Sequence, residues 1–359
     1  MRHENWLTVG EPQGKRKGVD AYQIINSHLQ FRVGRCGQKE LASLGNQKVL
    51  YLDVKDYIEL GRRRKAGDIA VESRLKALLD RGAIVIPLAA PHILEASSIS
   101  KEQQRRDLVS VMHAMSRGWV LPPIDEVMYM EVRQRVAAHY GRHGGGPLLK
   151  GAVAVRGYPH AMGIEFGEIL DIDPTATYFL EMVSRGELES EDCLFALVAT
   201  HRPKIGVGTP EHEQFKTALG GIRTLNPGKS LEQMEEEAVL GLSIRFINLV
   251  QRALGELGIR EEEALATPPK HFWTKEYMAT LPTIDVWTKL HVYLSRNPQL
   301  NISPNHLYDM AHLALALPYC DVVMCDSQML GFIQSRKLDV RHSAKCCVHL
   351  EDALSALET

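Results

Sequence analysis

Residues 305–329 read NHLYDMAHLALALPYCDVVMCDSQM. Asn305 to Leu317 repeats its apolar residues at helical spacing, Val322 to Cys325 is a short unbroken apolar run, and Ser327 to Arg336 returns to a helical pattern. A strand buried on both faces reads as a continuous apolar run rather than an alternating one, so helix, run, helix points to a parallel sheet covered on both sides. The run ends at Asp326, which puts a carboxylate at the carboxyl end of a strand.

The same pattern occurs far upstream. Val49-Leu50-Tyr51-Leu52 reads as a buried strand followed by Asp53, and the chain can start a helix from there to about Leu60. Residues 68–81 have helical spacing and stop at Gly82, residues 83–88 (AIVIPL) read as a second buried strand, and a helix after Pro91 carries Glu95. Helices are expected over 102–117, ended by Gly118, and over 126–140, beyond the break at Pro122-Pro123. From Gly144-Gly145-Gly146 to about Pro298 the patterns are helical (175–185, 211–219, 230–256), with no strand series. Residues 338–342 and 346–349 are expected to add a last short strand. The expected organisation is an N-terminal extension (1–46) with a short helix near 21–29, one α/β sheet domain in two parts (47–140 and 299–359), and a mainly helical insertion (141–298).

Composition narrows the function. With 45% hydrophobic and 24% charged residues the chain reads as an ordinary globular protein, and a net charge of −2 excludes coating nucleic acid by bulk positive charge. Any nucleic-acid contact is local. Lys15-Arg16-Lys17 and Arg62-Arg63-Arg64-Lys65 are the basic runs that could supply it, and a solvated charged face is the bland reading of each. No apolar stretch is long enough for a membrane span and the polar start lacks a secretory signal, so a cytoplasmic protein is expected. Six scattered cysteines fit reduced thiols. Cys346, Cys347 and His349 cluster with His342 nearby as zinc-type donors, but adjacent cysteines do not make the usual knuckle, and buried thiols are the default reading.

In an open parallel sheet, ligands bind outside the carboxyl ends of the strands. Asp53 and Asp326 end two strands, Asp309 lies on the helix before the second, and Glu95 lies on the helix after AIVIPL, so all four can share one crevice. Clustered carboxylates repel, and a hard divalent cation with oxygen ligands, magnesium or manganese, relieves that repulsion. Such an ion binds phosphate oxygens and activates water. Asp321 starts its strand rather than ending it and reads as structural, and Asp56 either faces the cleft or caps a helix. These two, with Asn305 and Ser327, form a second tier. His92 and His312 read as helix-face histidines, with contact to phosphate as the alternative.

YLDVKDYIEL (51–60), PLAAPHILEAS (87–97) and residues 305–329 resemble the acidic motifs of the PIN nuclease family in their order. The resemblance covers roughly 47–130 and 300–350. It implies a PIN-like parallel sheet flanked by helices and a metal-dependent endoribonuclease with Asp53, Glu95, Asp309 and Asp326 as catalytic and metal-binding residues. Cleavage would leave a 3′ hydroxyl and a 5′ phosphate; the basic run Arg62 to Lys65 is, on its charge alone, the candidate contact to substrate. Three features depart from the family: Lys55 stands where a small polar residue is common, only Ser327 represents the small hydroxyls sometimes found near the last acid, and small PIN domains lack the insertion. Unrestrained RNA cleavage would harm the host, so an inhibitory or activating protein partner, as in toxin or antiviral systems, is expected besides RNA; self-association stays open. Two rival readings remain. Arg106-Asp107 and His113 are similar to the metal-free motif of HEPN ribonucleases, and a non-catalytic scaffold could keep the acids as a structural cluster.

Overall fold

The computed structural model describes residues 44, 46–146, 148, 150, 153–163, 187–200, 228–266, 274–296 and 304–358. The helices expected near 21–29, 175–185 and 211–219 lie outside the described residues. The chain first forms β1 (Lys48–Tyr51), α1 (Val54–Lys65), α2 (Ala70–Asp80), β2 (Ile84–Val85), α3 (Ala90–Ser97), α4 (Glu102–Ser116), β3 (Trp119–Val120) and α5 (Ile124–His139). The middle holds β4 (Val155–Arg156), a 3-10 turn at Tyr158–Met162, α6 (Glu191–Thr200), α7 (Leu231–Glu256), α8 (Glu261–Ala266), α9 (Lys275–Met278) and α10 (Pro282–Arg296). The last part adds α11 (Pro304–Tyr319), β5 (Val322–Met324), α12 (Ser327–Ser335), α13 (Leu338–His342), β6 (Lys345–Cys347) and α14 (Leu350–Glu358).

Four strands build a parallel sheet in the order β2-β1-β5-β6. Leu50 stands opposite Val322 and Tyr51 opposite Val323, so the two segments separated by the insertion are central neighbours. The strand order reverses between β1 and β5, because β2 is laid down on one side of β1 and β5 and β6 on the other. That reversal is the topological switch point where an open α/β sheet leaves a crevice at its carboxyl edge.

Alternating side chains feed two separate cores, as a pleated strand requires. Val49, Tyr51, Val323 and Cys325 pack into one core, together with residues of α5, α7, α10 and α11. Leu50, Leu52, Val322 and Met324 pack into the other, with residues of α1, α2, α4, α6 and α14. Both faces are therefore dry, which is why these strands lack polar alternation. The described insertion helices α7 and α10 pack against α5 and against each other, and α10 packs along α11, so they cover one face of the sheet.

Two expectations about short segments change. Residues 338–342 form α13 rather than a strand: Leu338 is buried, Val340 is 73% exposed, and Lys337 and Ser343 bracket the turn at φ 54° and 53°. Apolar residues two apart in so short a run fit one helical turn as readily as a strand. The last strand is β6, at 345–347. β4 was not anticipated; a two-residue strand pairing antiparallel with β3 is too short to show a period. Of AIVIPL, Ile84 and Val85 join the sheet, while Leu88 bridges to Val120.

Candidate active site at the switch point

Asp53 is the N-cap of α1: its Oδ1 accepts from the Lys55 N–H at 3.4 Å, while Asp56 Oδ2 accepts from the Asp53 N–H at 2.9 Å. Asp326 is the N-cap of α12, its Oδ1 accepting from the Met329 N–H at 2.7 Å. The two strands that end in these acids are hydrogen-bonded neighbours, so both caps stand at the same edge of the sheet. Asp309 and His312 lie three residues apart on α11, one above the other on the same helix face. These four residues and Tyr51 line a crevice of about 280 Å³, open mouth included, whose apolar wall is Leu313, Met324, Cys325 and Met329.

Burial pushes the Asp309 carboxyl up to about 7; His312 pulls it down, and Asp53, Glu95 and Asp326 push it further up. The other three acids singled out in the sequence thus act on Asp309 through space. Glu95 joins the group through His312, whose Nε2 lies 3.0 Å from Glu95 Oε1. The other ring nitrogen of His312, Nδ1, is hydrogen-bonded to the Tyr51 hydroxyl. Burial alone would lower the His312 pKa, but the Glu95 hydrogen bond and the charges of Glu95, Asp53 and Asp309 raise it above the usual imidazole value.

His92 lies against this group, its ring 4.6 Å from that of His312 and 4.9 Å from that of Tyr51. Its Nδ1 accepts from the Ala89 N–H at 2.9 Å and its Nε2 donates to the Leu52 carbonyl at 2.7 Å. A backbone N–H can only donate and a carbonyl only accept, so the ring is the neutral Nε2–H tautomer. Burial, then His312, hold its pKa well below the usual value, against the two backbone bonds.

The second tier separates by position. Asp56 is buried under the α1 cap, and its carboxyl is pushed up to about 7, chiefly by burial. Asp321 stands at the opposite end of β5, where its Oδ2 accepts from the Val49 N–H at 2.8 Å and its Oδ1 lies 3.6 Å from Lys150 Nζ. Ser327 is exposed at the start of α12, and Asn305 belongs to the first turn of α11. Arg62 to Lys65 form the last turn of α1, roughly 14 to 18 Å along the helix from Asp53 at 1.5 Å per residue. There Arg63 pairs with Glu59 and Glu351, Arg64 with Glu72, and Lys65 with Asp107.

Arg106 and His113 do not face one reacting centre: Arg106 pairs with Glu102 and lies over the Phe195 ring, while His113 bonds to the Tyr158 hydroxyl at 2.9 Å. Cys346 and Cys347, successive on β6, point to opposite faces; Cys347 packs with one core and Cys346 against the other. They cannot share a zinc ion without breaking the strand. Sequence reasoning missed the Tyr51–His312–Glu95 chain. The only available signal was the three-residue spacing of Asp309 and His312, which places both on one helix face.

The donor chemistry of the crevice, the carboxylate oxygens of Asp53, Asp309 and Asp326, fits a hard divalent cation, which would also relieve the part of the upward push on Asp309 that comes, after burial, from the neighbouring acids. The side chains are not drawn onto a common point: among the described residues no three His, Cys, Asp or Glu groups are placed to hold a metal ion. Among those residues, no helix is long and apolar enough to cross a membrane. The chain matches no known protein family, no curated protein and no solved structure.

Proposed function

We propose that the chain is a metal-dependent nuclease of the PIN type, cleaving phosphodiester bonds in RNA. The observation that supports it is that Asp53, Asp309 and Asp326, from three separate segments, line the switch-point crevice, with Glu95 joined to them through His312 and Asp309 pushed up to about 7 by burial and by the other three acids. Asp53 and Asp326 would be the principal ligands of magnesium or manganese, Asp309 would complete the set, and Glu95 would hold a second ion or orient water. The bound cation would supply charge neutralisation at the phosphate and an acidified water.

The chain's own contribution is positional. Each cap bond ties one oxygen of Asp53 or Asp326 to its helix, which restricts how the carboxylate can turn. Both α1 and α12 begin at this edge, and their N-terminal amides add partial positive charge that favours a phosphate. RNA as substrate, and a partner that restrains cleavage, follow from the PIN resemblance.

A non-catalytic scaffold is the second reading. It is favoured by the capping duties of Asp53 and Asp326 and by the open spacing of the acids. Asparagine separates the two readings, because it caps a helix as well as aspartate does but carries no charge. Asp53→Asn and Asp326→Asn should keep the native melting temperature within a few degrees and lose roughly a hundredfold or more in cleavage of a labelled RNA panel with magnesium or manganese. Equal cleavage by both variants and the native chain, or cleavage that survives a chelator, removes the assignment as a metal-dependent nuclease of the PIN type.

A further inference from the structure

Glu95 is the one acid of the four that sits neither at a strand end nor on α11, and its link to the others runs through a buried chain. Glu95 Oε1, His312 Nε2, His312 Nδ1 and the Tyr51 hydroxyl follow one another in hydrogen bonds, with the Tyr51 side chain 1% and His312 6% exposed. Burying such a chain costs free energy that apolar side chains of similar volume would not, unless every polar atom is partnered. Here both imidazole nitrogens are used.

His92, packed edge-on against His312, anchors the same group to the Leu52 carbonyl, one residue before Asp53, and to the Ala89 amide at the start of α3. The two imidazoles therefore tie together β1, α3 and α11, three of the four segments that carry acids. A histidine serving only to fill the core would not need a carboxylate on one nitrogen and a phenol from the central strand on the other.

We propose that His312 is a positioning residue: it holds the Glu95 carboxylate toward Asp53, Asp309 and Asp326, with Tyr51 fixing the ring, and thereby sets the affinity of the crevice for a divalent cation. The inference rests on the metal-site reading above. Groups that orient carboxylate or imidazole ligands from behind typically change metal affinity by about tenfold to a hundredfold when removed.

The test is calorimetric titration of the full chain with manganous ion, without nucleic acid, in a double-mutant cycle. His312→Ala should weaken manganese binding about tenfold or more, and by less than about twofold in a Glu95→Ala background. His312→Gln, which keeps a donor for Glu95, should recover part of the loss. Tyr51→Phe, a milder change, should weaken binding in the native background and not in Glu95→Ala; it carries the test should His312→Ala fail to fold by circular dichroism. Equal losses in the two backgrounds, or no loss in a folded variant, overturn the positioning role while leaving the metal site standing. A native chain that binds no manganous ion overturns the metal-site reading and this inference with it.

Discussion

At the scale of single residues, buried carboxyls set the electrostatics of this protein. Glu131 is 4% exposed and lies away from the crevice, where its Oε1 accepts from the Thr283 N–H at 2.9 Å and from the Tyr319 hydroxyl. Burial pushes its carboxyl from 4.5 up to about 7, against the bonds from Tyr319 and Thr283. A carboxyl whose folded value lies above its unfolded one binds more protons when folded, so stability falls as pH rises through that window and returns as pH drops. A shift of this size amounts to about 3 kcal/mol as an upper figure. Glu131→Gln keeps an acceptor oxygen and cannot ionise, so its stability relative to the native chain should be higher at pH 8 than at pH 5. Urea midpoints at both values measure this, and a difference independent of pH would count against it. Asp53 and Asp326 were legible in the sequence because each follows an apolar run; the tasks of Glu131, Tyr51 and His312 were not, because their partners lie 152, 261 and 217 residues away.

At the scale of elements, the sheet shows why position along a strand separates acids that look alike. Asp326 ends β5 and Asp321 precedes it, and their carboxylates serve opposite edges: one caps a helix beside the crevice, the other accepts the Val49 amide of the neighbouring strand. Asp321→Ala should therefore cost about 1 kcal/mol of stability through the lost hydrogen bond. Any cleavage the native chain shows should persist once the variant is folded; a cleavage loss as deep as that of Asp326→Asn would place Asp321 in the site. Element boundaries were legible where apolar periodicity was long, as in α7, or where an apolar run was followed by an acid, as in β1 and β5. β4 and α13 were not, since two to five residues can satisfy either period.

At the scale of the whole molecule, the two ends of the described chain meet in the centre of one sheet, with the described insertion helices α7 and α10 covering one of its faces. The α/β class was anticipated from like patterns at a distance; the direct pairing of β1 with β5 was not. The packing of α7 and α10 against α5 and α11 was not, because nothing in a helical repeat names its partner. Since a cation at the switch point would bind the folded chain alone, millimolar manganese should raise the melting temperature, a chelator should reverse the rise, and Asp326→Asn should abolish it. An unchanged melt would place the acids outside any metal chemistry.

β5 lies between β1 and β6, so the segment made late in synthesis is inserted into the middle of the sheet rather than added to its rim. Until residues 304–326 have emerged, β1 has a bare flank and the crevice lacks two of its acids, Asp309 and Asp326. Whatever reaction the crevice supports is therefore withheld from the nascent polypeptide until the stretch through Asp326 has left the ribosome.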